Sequence, residues 1–512
     1  MSKPETYISQ QAKRLSKGQI DRRRFVMSAL ASGVTMPTAM SLASRAEAAT
    51  PKQGGSLRYG VADARQGDNL DPTQTGSELR RLVNEVRGDT LVEISSEGQV
   101  TPALAEGYGT KDGLTWVFDI RPGVMFHSGT KLQASDVVAS LTHAAKTSPQ
   151  VQGITAQIGR IDTVGSARVE VHLRKPHWNF AELLASPHLM ILPEGTDPAT
   201  STDGTGAYRL EQFEPGSRAH LTRNPNDWRT NRGHFDSVTY RAMPDARLRQ
   251  SAIMNGEVDV IDAVDPRALA MLSNMPAVQI LETLGARHPL IEMRMDRGPF
   301  TDPHLRRALK MAVDRQAILD KVLLGHGRIA ADAPFALDPD PTLYDPDHAR
   351  WYLNTANVTG PVTLQITKPE GLGETQIATL VTAAAADVGL EIKTQFSETL
   401  TDDWQLRLSS RALSAEAALA TYMPDAGHCG TGWVGSESCT RFGDLMTTSR
   451  ASKHALDHDR LMTKAAQVLA QDGAIILPVW AHDLCAHGAS LARPNPDTTA
   501  NTQAVATHWW FA

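Results

Sequence analysis

Hydrophobic residues recur along this chain at two spacings, one typical of strands and the other typical of helices. Trp116, Phe118 and Ile120 alternate with less apolar neighbours, and the same period of two returns at 169–173. Because successive side chains of a strand point to opposite faces, each segment is predicted to be a strand with one buried face.

A β-α-β unit is predicted near the middle of the chain. We expect a strand at 238–241, a helix at 245–254 and a second strand at 258–261. Gly256 follows the helix, and glycine adopts without strain the left-handed conformation that ends helices. Such a unit indicates an α/β fold in which helices cover the faces of a sheet.

Other segments combine helix caps with apolar stripes. Ser135, Asp302 and Asp314 are predicted N-caps, and Gly389 is a predicted helix end that leads into a strand at 390–396. The stripes on these helices are Val138, Leu141 and Ala145; Leu305, Leu309, Ala312 and Val313; and Ile377, Leu380, Val381, Ala384 and Val388.

The first 48 residues have the three parts of a Tat-type export signal. Arg22-Arg23-Arg24-Phe25 precedes a weakly apolar stretch at 27–42 and a small-residue cleavage sequence at 46–49. The stretch is too short and too polar to anchor the chain in a bilayer. The alternative is a basic N-terminus that is never cleaved. Export predicts a soluble periplasmic protein and argues against ATP-driven chemistry.

Length and charge limit the classes of function. The 464 residues after position 48 exceed one compact core, so two or three domains are expected. The full chain has a net charge of −6, and residues 1–48 hold eight basic and three acidic residues, so the predicted mature chain carries −11. Such an acidic protein is expected neither to bind nucleic acid nor to lie on an anionic membrane.

The sequence lacks the short motifs of common catalytic sites. It contains no G-x-x-x-x-G-K-[ST], no G-x-S-x-G and no H-E-x-x-H. Because catalytic groups can also lie far apart in sequence, an extracytoplasmic hydrolase stays as the rival hypothesis. The balance favours a binding protein that uses neither a cofactor nor a metal.

Three cysteines occur, and an odd number in an oxidising compartment suggests one disulfide and one free thiol. Cys429 and Cys439 enclose a short glycine-rich segment, so we predict a disulfide between them and expect Cys485 to be a buried thiol. The alternative is a metal site that includes His428 and Cys429, but it lacks a convincing second pair of ligands.

Segments spread over nearly the whole mature chain resemble one family. The most specific is 118–138, which holds Arg121-Pro122-Gly123-Val124, Phe126-His127-Ser128-Gly129 and Ala134-Ser135-Asp136-Val137-Val138. The others, in order, are 54–58 with 69–72, 91–106, 204–208, 223–228, 256–260 and 306–309. Together they resemble the periplasmic substrate-binding proteins of dipeptide, oligopeptide and nickel ABC transporters.

This resemblance implies an α/β, two-lobed binding-protein fold with a hinge and an additional inserted domain. Domain I would comprise 49–88, 203–288 and 478–512, domain II 89–202, and domain III 289–477. The implied function is capture of a peptide or peptide-like small molecule and its delivery to an ABC permease, without bond chemistry. A nickel or metal chelate, or an opine-like amino-acid conjugate, is the alternative ligand. The expected partners are this ligand, the inner-membrane permease and the Tat machinery, and the protein is expected to be a monomer.

The resemblance also indicates ligand-binding positions. Thr75-Gly76-Ser77 occupies the loop that faces the cleft in dipeptide binders, and Lys368 stands where they have an arginine that pairs with the ligand carboxylate. Lysine keeps the charge but loses the bidentate geometry. Asp425 is the candidate for the ligand amine, although its segment is shorter than in the family. Aromatic candidates for the pocket wall are Trp404, Tyr422 and Trp433. The alternatives are an ordinary turn, a solvated lysine and core aromatic residues.

Overall fold

The structure is a computed structural model that describes most of the chain from residue 51 onward. The described residues are 51–512 without 75, 96–97, 149–150, 334–343, 357, 359, 368–370, 398–402, 413–435 and 495–504, together with 8, 11, 14, 20, 22–32, 34, 36, 39 and 40. The helices in this part are Arg22–Ala31, Glu78–Arg87, Ala134–Thr147, Gln152–Thr155, Phe180–Leu183, Ala246–Met254, Leu269–Ser273, Pro303–Ala312, Arg315–Lys321, Pro346–Thr355, Glu374–Val388, Ser436–Ala451, Ala455–Asp472 and Val505–His508.

A seven-stranded mixed sheet forms the first body of the fold. Its spatial order is Val278–Thr283, Asp483–Gly488, Val260–Ile261, Ser56–Val61, Ser237–Ala242, Arg218–Arg223 and Tyr208–Glu214. Ser56–Val61 runs parallel to both Val260–Ile261 and Ser237–Ala242. The predicted β-α-β unit is confirmed, but Ser56–Val61 inserts between its two strands.

Helices cover both faces of this sheet. Leu57 and Val61 pack with residues of the Glu78–Arg87 helix in one core, whereas Ile261 packs with the Ala246–Met254 helix in another. Asp245 caps the latter helix by accepting hydrogen bonds from two backbone N–H groups. The seven-stranded sheet is therefore doubly covered, as the α/β prediction requires.

A four-stranded antiparallel sheet forms the second body. Its spatial order is Ala105–Thr110, Thr115–Ile120, Arg168–Leu173 and Ile158–Val164. The alternating pattern is confirmed, since Trp116, Phe118 and Ile120 are all buried. The predicted cap Ser135 is wrong: the helix begins at Ala134 because Gln133 and Asp136 form a reciprocal capping box one turn apart.

A five-stranded sheet forms the third body. Its spatial order is Ile392–Ser397, Val362–Thr367, Leu406–Ala412, Arg287–Met293 and Ile475–Ile476, and the first three run parallel. The caps Asp302 and Asp314 are confirmed, each accepting a backbone N–H hydrogen bond. Gly389 ends its helix with φ of 100°, and the strand after it begins at Ile392, two residues later than predicted.

The strands of each large sheet come almost wholly from one of the three predicted domains. The exception is the strand Arg287–Met293, whose first two residues precede the predicted boundary at 289. The division into domains stays a prediction. Short two-stranded pairs complete the described strands: Val92–Ile94 with Val100–Pro102, Gly327–Ile329 with Val479–Ala481, and Leu491–Ala492 with Trp510–Phe511.

We find no helix in the described part of the chain that is both long enough and apolar enough to span a bilayer. The helix Arg22–Ala31 begins at the paired arginines. Neither fact tests cleavage or export, so the signal peptide stays a prediction.

Candidate functional site

The carboxyl edge of the seven-stranded sheet is the candidate site. Ligands of open α/β sheets bind in the crevice outside the carboxyl ends of parallel strands. The parallel strands here end at Val61, Ala242 and Ile261, and the loops that follow them carry the chain across this edge. Residues directly after these strands are therefore candidates for contact with a ligand.

The loop after the first strand contains two described members of the predicted Thr75-Gly76-Ser77 contact, since Thr75 lies outside the described residues. Ser77 is 1% exposed and caps the Glu78–Arg87 helix. Its amide donates to Asp68 Oδ1 at 3.0 Å, its hydroxyl also bonds to Asp68, and Arg80 N donates back to the hydroxyl at 3.3 Å. A Cβ at Gly76 would collide with the Arg80 guanidinium. The structure thus gives Ser77 a capping role, and its contact with ligand stays a prediction.

One face of the Glu78–Arg87 helix presents charged groups in a row. Arg81 lies between two carboxylates, 2.6 Å from Glu78 and 2.8 Å from Glu85. Between a quarter and a third of each of these side chains is exposed. Even so, burial raises the pKa of Glu85 to about 7, against the opposing effect of Arg81. Glu85 is therefore both partly accessible and partly desolvated.

Asp262 occupies the position directly after the strand Val260–Ile261. Its Oδ1 accepts a hydrogen bond from Ala62 N at 2.8 Å. Burial and the charge of Glu78 raise the pKa of Asp262 to about 7, although Arg249 opposes this shift. Arg249 Nε is 4.0 Å from Asp262 Oδ1. The other Arg249 nitrogens donate to the carbonyls of Met243, Pro244 and Ala263, and Ala263 has a φ of 45°. Arg249 therefore braces the loops around Asp262 rather than neutralising it fully.

Arg287 and Asp483 extend the charged surface to where the chain crosses between sheets. Arg287 Nε is 3.5 Å from Asp483 Oδ1. Burial raises the pKa of Asp483, with Arg287 opposing. Burial also acts to raise the pKa of Glu78, but Arg81 and Arg287 bring it below its ordinary value. We call Glu78, Arg81, Glu85, Asp262, Arg287 and Asp483 the edge cluster.

The edge cluster brings both signs of charge together, since Glu78 lies beside Arg81 and also interacts electrostatically with Arg287 and Asp262. Its carboxylates can accept hydrogen bonds from an ammonium group, and its guanidinium groups can donate to a carboxylate, the stronger class of hydrogen bond. None of these residues is predicted from the sequence as a ligand contact. A signal existed for three of them, because Glu78, Arg81 and Glu85 are spaced to share a helix face.

The corresponding edge of the five-stranded sheet lies beside the predicted Lys368. The strand Val362–Thr367 ends directly before it, but Lys368, Tyr422, Asp425 and Trp433 all lie outside the described residues. The chain is anchored just after this point. The buried Glu374 carboxylate accepts hydrogen bonds from the amides of Gly371 and Leu372 at 2.9–3.0 Å, and Ser410 also donates to it.

Trp404 lies at the end of the five-stranded sheet where the strand Val362–Thr367 begins, not at the end where Lys368 follows that strand. Leu406 pairs with Leu364 in parallel, so Trp404 is level with the beginning of Val362–Thr367. At about 3.3 Å per residue, the end of that strand is roughly 17 Å away. The Trp404 ring contacts two guanidinium groups, with Arg407 at 4.6 Å and Arg294 at 5.4 Å from its centroid. The structure therefore does not bring Trp404 to the edge where Lys368 follows.

Among the three cysteines, the structure describes the side chain of Cys485, which is buried and forms no disulfide, as expected. Burial raises its pKa, which makes the thiol unreactive. Cys429 and the side chain of Cys439 lie outside the described residues, so their disulfide stays a prediction. Within the described chain, no group of three or more His, Cys, Asp or Glu side chains is arranged to hold a metal ion.

The chain is similar to known proteins both in sequence and in structure. The sequence model of "Bacterial extracellular solute-binding proteins, family 5 Middle" matches residues 99–426. The glutathione-binding protein GsiB of Salmonella typhi is 27% identical over 301 residues, and that of Escherichia coli O157:H7 is 25% identical. Each alignment covers 56% of this chain and 59% of the relative, so the chain spans less than two thirds of the length of these curated relatives.

Solved structures share the fold over most of their length. The periplasmic binding protein DppA of Helicobacter pylori, in complex with the peptide STSA, superposes with a TM-score of 0.77 at 19% identity, covering 90% of this chain and 98% of DppA. AgaA of A. tumefaciens R10, in complex with agropinic acid, gives 0.75 at 20% identity, with 90% and 99% covered. NikA of Staphylococcus aureus, in complex with Ni(L-His)2, gives 0.70 at 17% identity, with 85% and 95% covered. The chain has the two-lobed fold of these proteins.

Proposed function

Because this chain belongs to the bacterial extracellular solute-binding proteins of family 5, we propose that it captures a peptide or peptide-like small molecule and delivers it to the permease of an ABC importer. The ligand is released chemically unchanged, so the protein is not an enzyme. Glutathione, which gives the curated relatives their name, is itself a small peptide and is the first ligand to test.

The edge cluster is the observation that carries this proposal. A peptide-like molecule is zwitterionic, and the edge cluster offers carboxylates and guanidinium groups in partly desolvated positions. Charge-assisted hydrogen bonds strengthen as water is excluded, which closure of two lobes around a ligand would do. Lys368 and Asp425 would hold the two charged ends of the ligand from the other side of the cleft.

Location and partners follow from the same proposal. The protein would be exported by its twin-arginine signal, act in the periplasm as a monomer and close by rotation about a hinge before it meets the permease. Domain I would comprise 49–88, 203–288 and 478–512, with domain II at 89–202 and domain III at 289–477.

Calorimetric titration of the mature protein with glutathione, and with any ligand that co-purifies, tests the proposed binding function and the roles of Lys368 and Asp425. Removing one partner of a buried charge pair costs about 2–5 kcal/mol, so Lys368→Ala and Asp425→Ala should each weaken binding at least tenfold. Their unfolding temperatures without ligand should stay unchanged. The matched control is Lys393→Ala, on the edge strand of the same sheet, where Lys393 pairs with Glu391 at 3.6 Å and both are exposed.

The outcomes separate the alternatives. Unchanged affinity in both variants would refute the assigned anchors. Binding of Ni(L-His)2 or agropinic acid in place of any peptide would favour the metal-chelate or opine-like alternative. Conversion of the bound molecule into a product would favour the hydrolase.

A further inference from the structure

Two histidines share one carboxylate oxygen where the chain passes between sheets. Glu282 Oε1 lies 2.6 Å from His482 Nδ1 and 3.0 Å from His326 Nδ1. The backbone ties the same place together, since His482 N donates to the His326 carbonyl at 3.1 Å. All three side chains are 21–38% exposed, so solvent protons reach them. We call these three residues the hinge cluster.

The members of the hinge cluster belong to different bodies. Glu282 lies on Val278–Thr283 in the seven-stranded sheet. His326 precedes Gly327–Ile329, whose partner strand Val479–Ala481 packs in the core of the five-stranded sheet. His482 is the single residue between Val479–Ala481 and the strand Asp483–Gly488 of the seven-stranded sheet. Rotation of the third body against the first must therefore change the geometry of this cluster.

The second and third bodies contact each other in this structure, and we call this arrangement of the bodies closed. At a second place, far along the chain from the hinge cluster, Trp178 N donates to the Arg450 carbonyl at 2.9 Å. Lys453 Nζ lies 5.0 Å from the centroid of the Trp178 ring. These contacts join the region of the four-stranded sheet to the helix Ser436–Ala451, which packs with the strand Ile475–Ile476.

We propose that Glu282, His326 and His482 form a pH-sensitive latch that favours the closed arrangement at mildly acidic pH. Histidine ordinarily gains its second ring proton between pH 5 and 8. Hydrogen bonds from His482 and His326 hold the pKa of Glu282 below its ordinary range, against the effect of burial, so the carboxylate stays ionised there. Protonation of either ring turns a neutral hydrogen bond into an ion pair across the hinge.

Neighbouring charges leave this response to the hinge cluster. Arg287 and Asp483 pair with each other at 3.5 Å, and Arg328 stacks over Trp480 at 5.8 Å. The helix Arg315–Lys321 packs against Gly327–Ile329 and carries three charged residues. Arg315 donates to Asp332, Asp320 accepts from Gln316, and the third is Lys321. Arginine and lysine keep their charge from pH 5 to 8. Burial raises the pKa of Asp483, which is the titratable neighbour of the cluster. The double histidine variant leaves Asp483 in place, so any pH dependence that Asp483 causes would survive in that variant.

Single-molecule energy transfer on the ligand-free mature protein tests the latch. Dyes would be attached without cysteine chemistry at Arg218, on the seven-stranded sheet, and Lys464, on the helix Ala455–Asp472 that packs with the five-stranded sheet. Two partly exposed ion pairs should raise the ratio of closed to open molecules about three- to tenfold between pH 8 and pH 6. Glu282→Gln and the double variant His326→Gln/His482→Gln should abolish this dependence.

The matched control is His304→Gln, because His304 Nδ1 also pairs with a carboxylate, Asp302 at 3.1 Å, but away from the hinge. It should keep the full pH dependence. A wild-type ratio that does not change with pH, or a dependence that survives both hinge variants, would overturn the proposal. Because no ligand is used, failure here is distinct from failure of the proposed binding function.

Discussion

Replacing Asp262 with asparagine should make the ligand-free protein more stable at pH 8. Burial and Glu78 raise the pKa of Asp262 to about 7, whereas an aspartate in an unfolded chain titrates near 4. A group whose pKa is raised by folding stabilises the folded state below its unfolded pKa, and that stability is lost as the pH rises through the folded pKa. The ionised Asp262 is therefore a cost at pH 8 that Asp262→Asn removes.

The magnitude follows from the difference between the two pKa values. About three pH units correspond to roughly 4 kcal/mol at pH 8, which is an upper bound because the side chain is 14% exposed. Asparagine can still accept the Ala62 N–H, and Arg249 keeps its three carbonyl partners. We expect a gain of about 2–4 kcal/mol at pH 8 that vanishes below about pH 4.

Urea unfolding of both proteins from pH 4 to pH 8.5 measures this gain. The matched control is Asp259→Asn, three residues earlier, whose carboxylate pairs with Arg58 at 2.7 Å and should lose stability instead. In parallel, Asp262→Asn should bind ligand more weakly, because a desolvated carboxylate at a binding site costs stability in exchange for affinity. Equal or lower stability of Asp262→Asn at pH 8, with a profile parallel to the wild type, would refute the reasoning.

Two further predictions concern export and the thiols. The double variant Arg22→Lys/Arg23→Lys should remain in the cytoplasm as precursor, because a receptor recognises the arginine pair rather than the overall charge. Normal processing of this variant would refute the predicted signal. Thiol counting of the denatured, unreduced periplasmic protein should find Cys485 alone, because Cys429 and Cys439 are predicted to form a disulfide. Closing this short loop should stabilise the folded protein by about 2–3 kcal/mol. Three reactive thiols would refute the pairing.

The fold was predictable where local signals agree with tertiary packing. Asp302 and Asp314 were identifiable as caps from their residue type and position, and both cap the expected helices. Ser135 is the better cap by residue type, but Gln133 caps the helix because its backbone N–H donates a hydrogen bond to the Asp136 carboxylate. That reciprocal pair depends on geometry that residue preference does not encode.

The site was predictable only in part, because its members are distant in sequence. Glu78 and Arg81 lie about 200 residues before Arg287 and about 400 before Asp483, and the sheet order alone brings them together. On the sequence, a charged helix face is indistinguishable from one in solvent. The capping contact of Ser77 and the position of Trp404 could not be predicted for the same reason. Asp68 folds back onto Ser77, and strand register decides at which end of the sheet Trp404 lies.

Mass spectrometry of the molecule that co-purifies with the mature periplasmic protein tests the central claim most directly. The protein, purified without added ligand and then denatured, should release one small zwitterionic, peptide-like molecule in about equal molar amount, with its mass unchanged after long incubation. Calorimetry with that molecule should give saturable binding to a single site. Release of a molecule that the protein has cleaved, or a protein that neither retains nor rebinds any peptide-like molecule, would contradict the account.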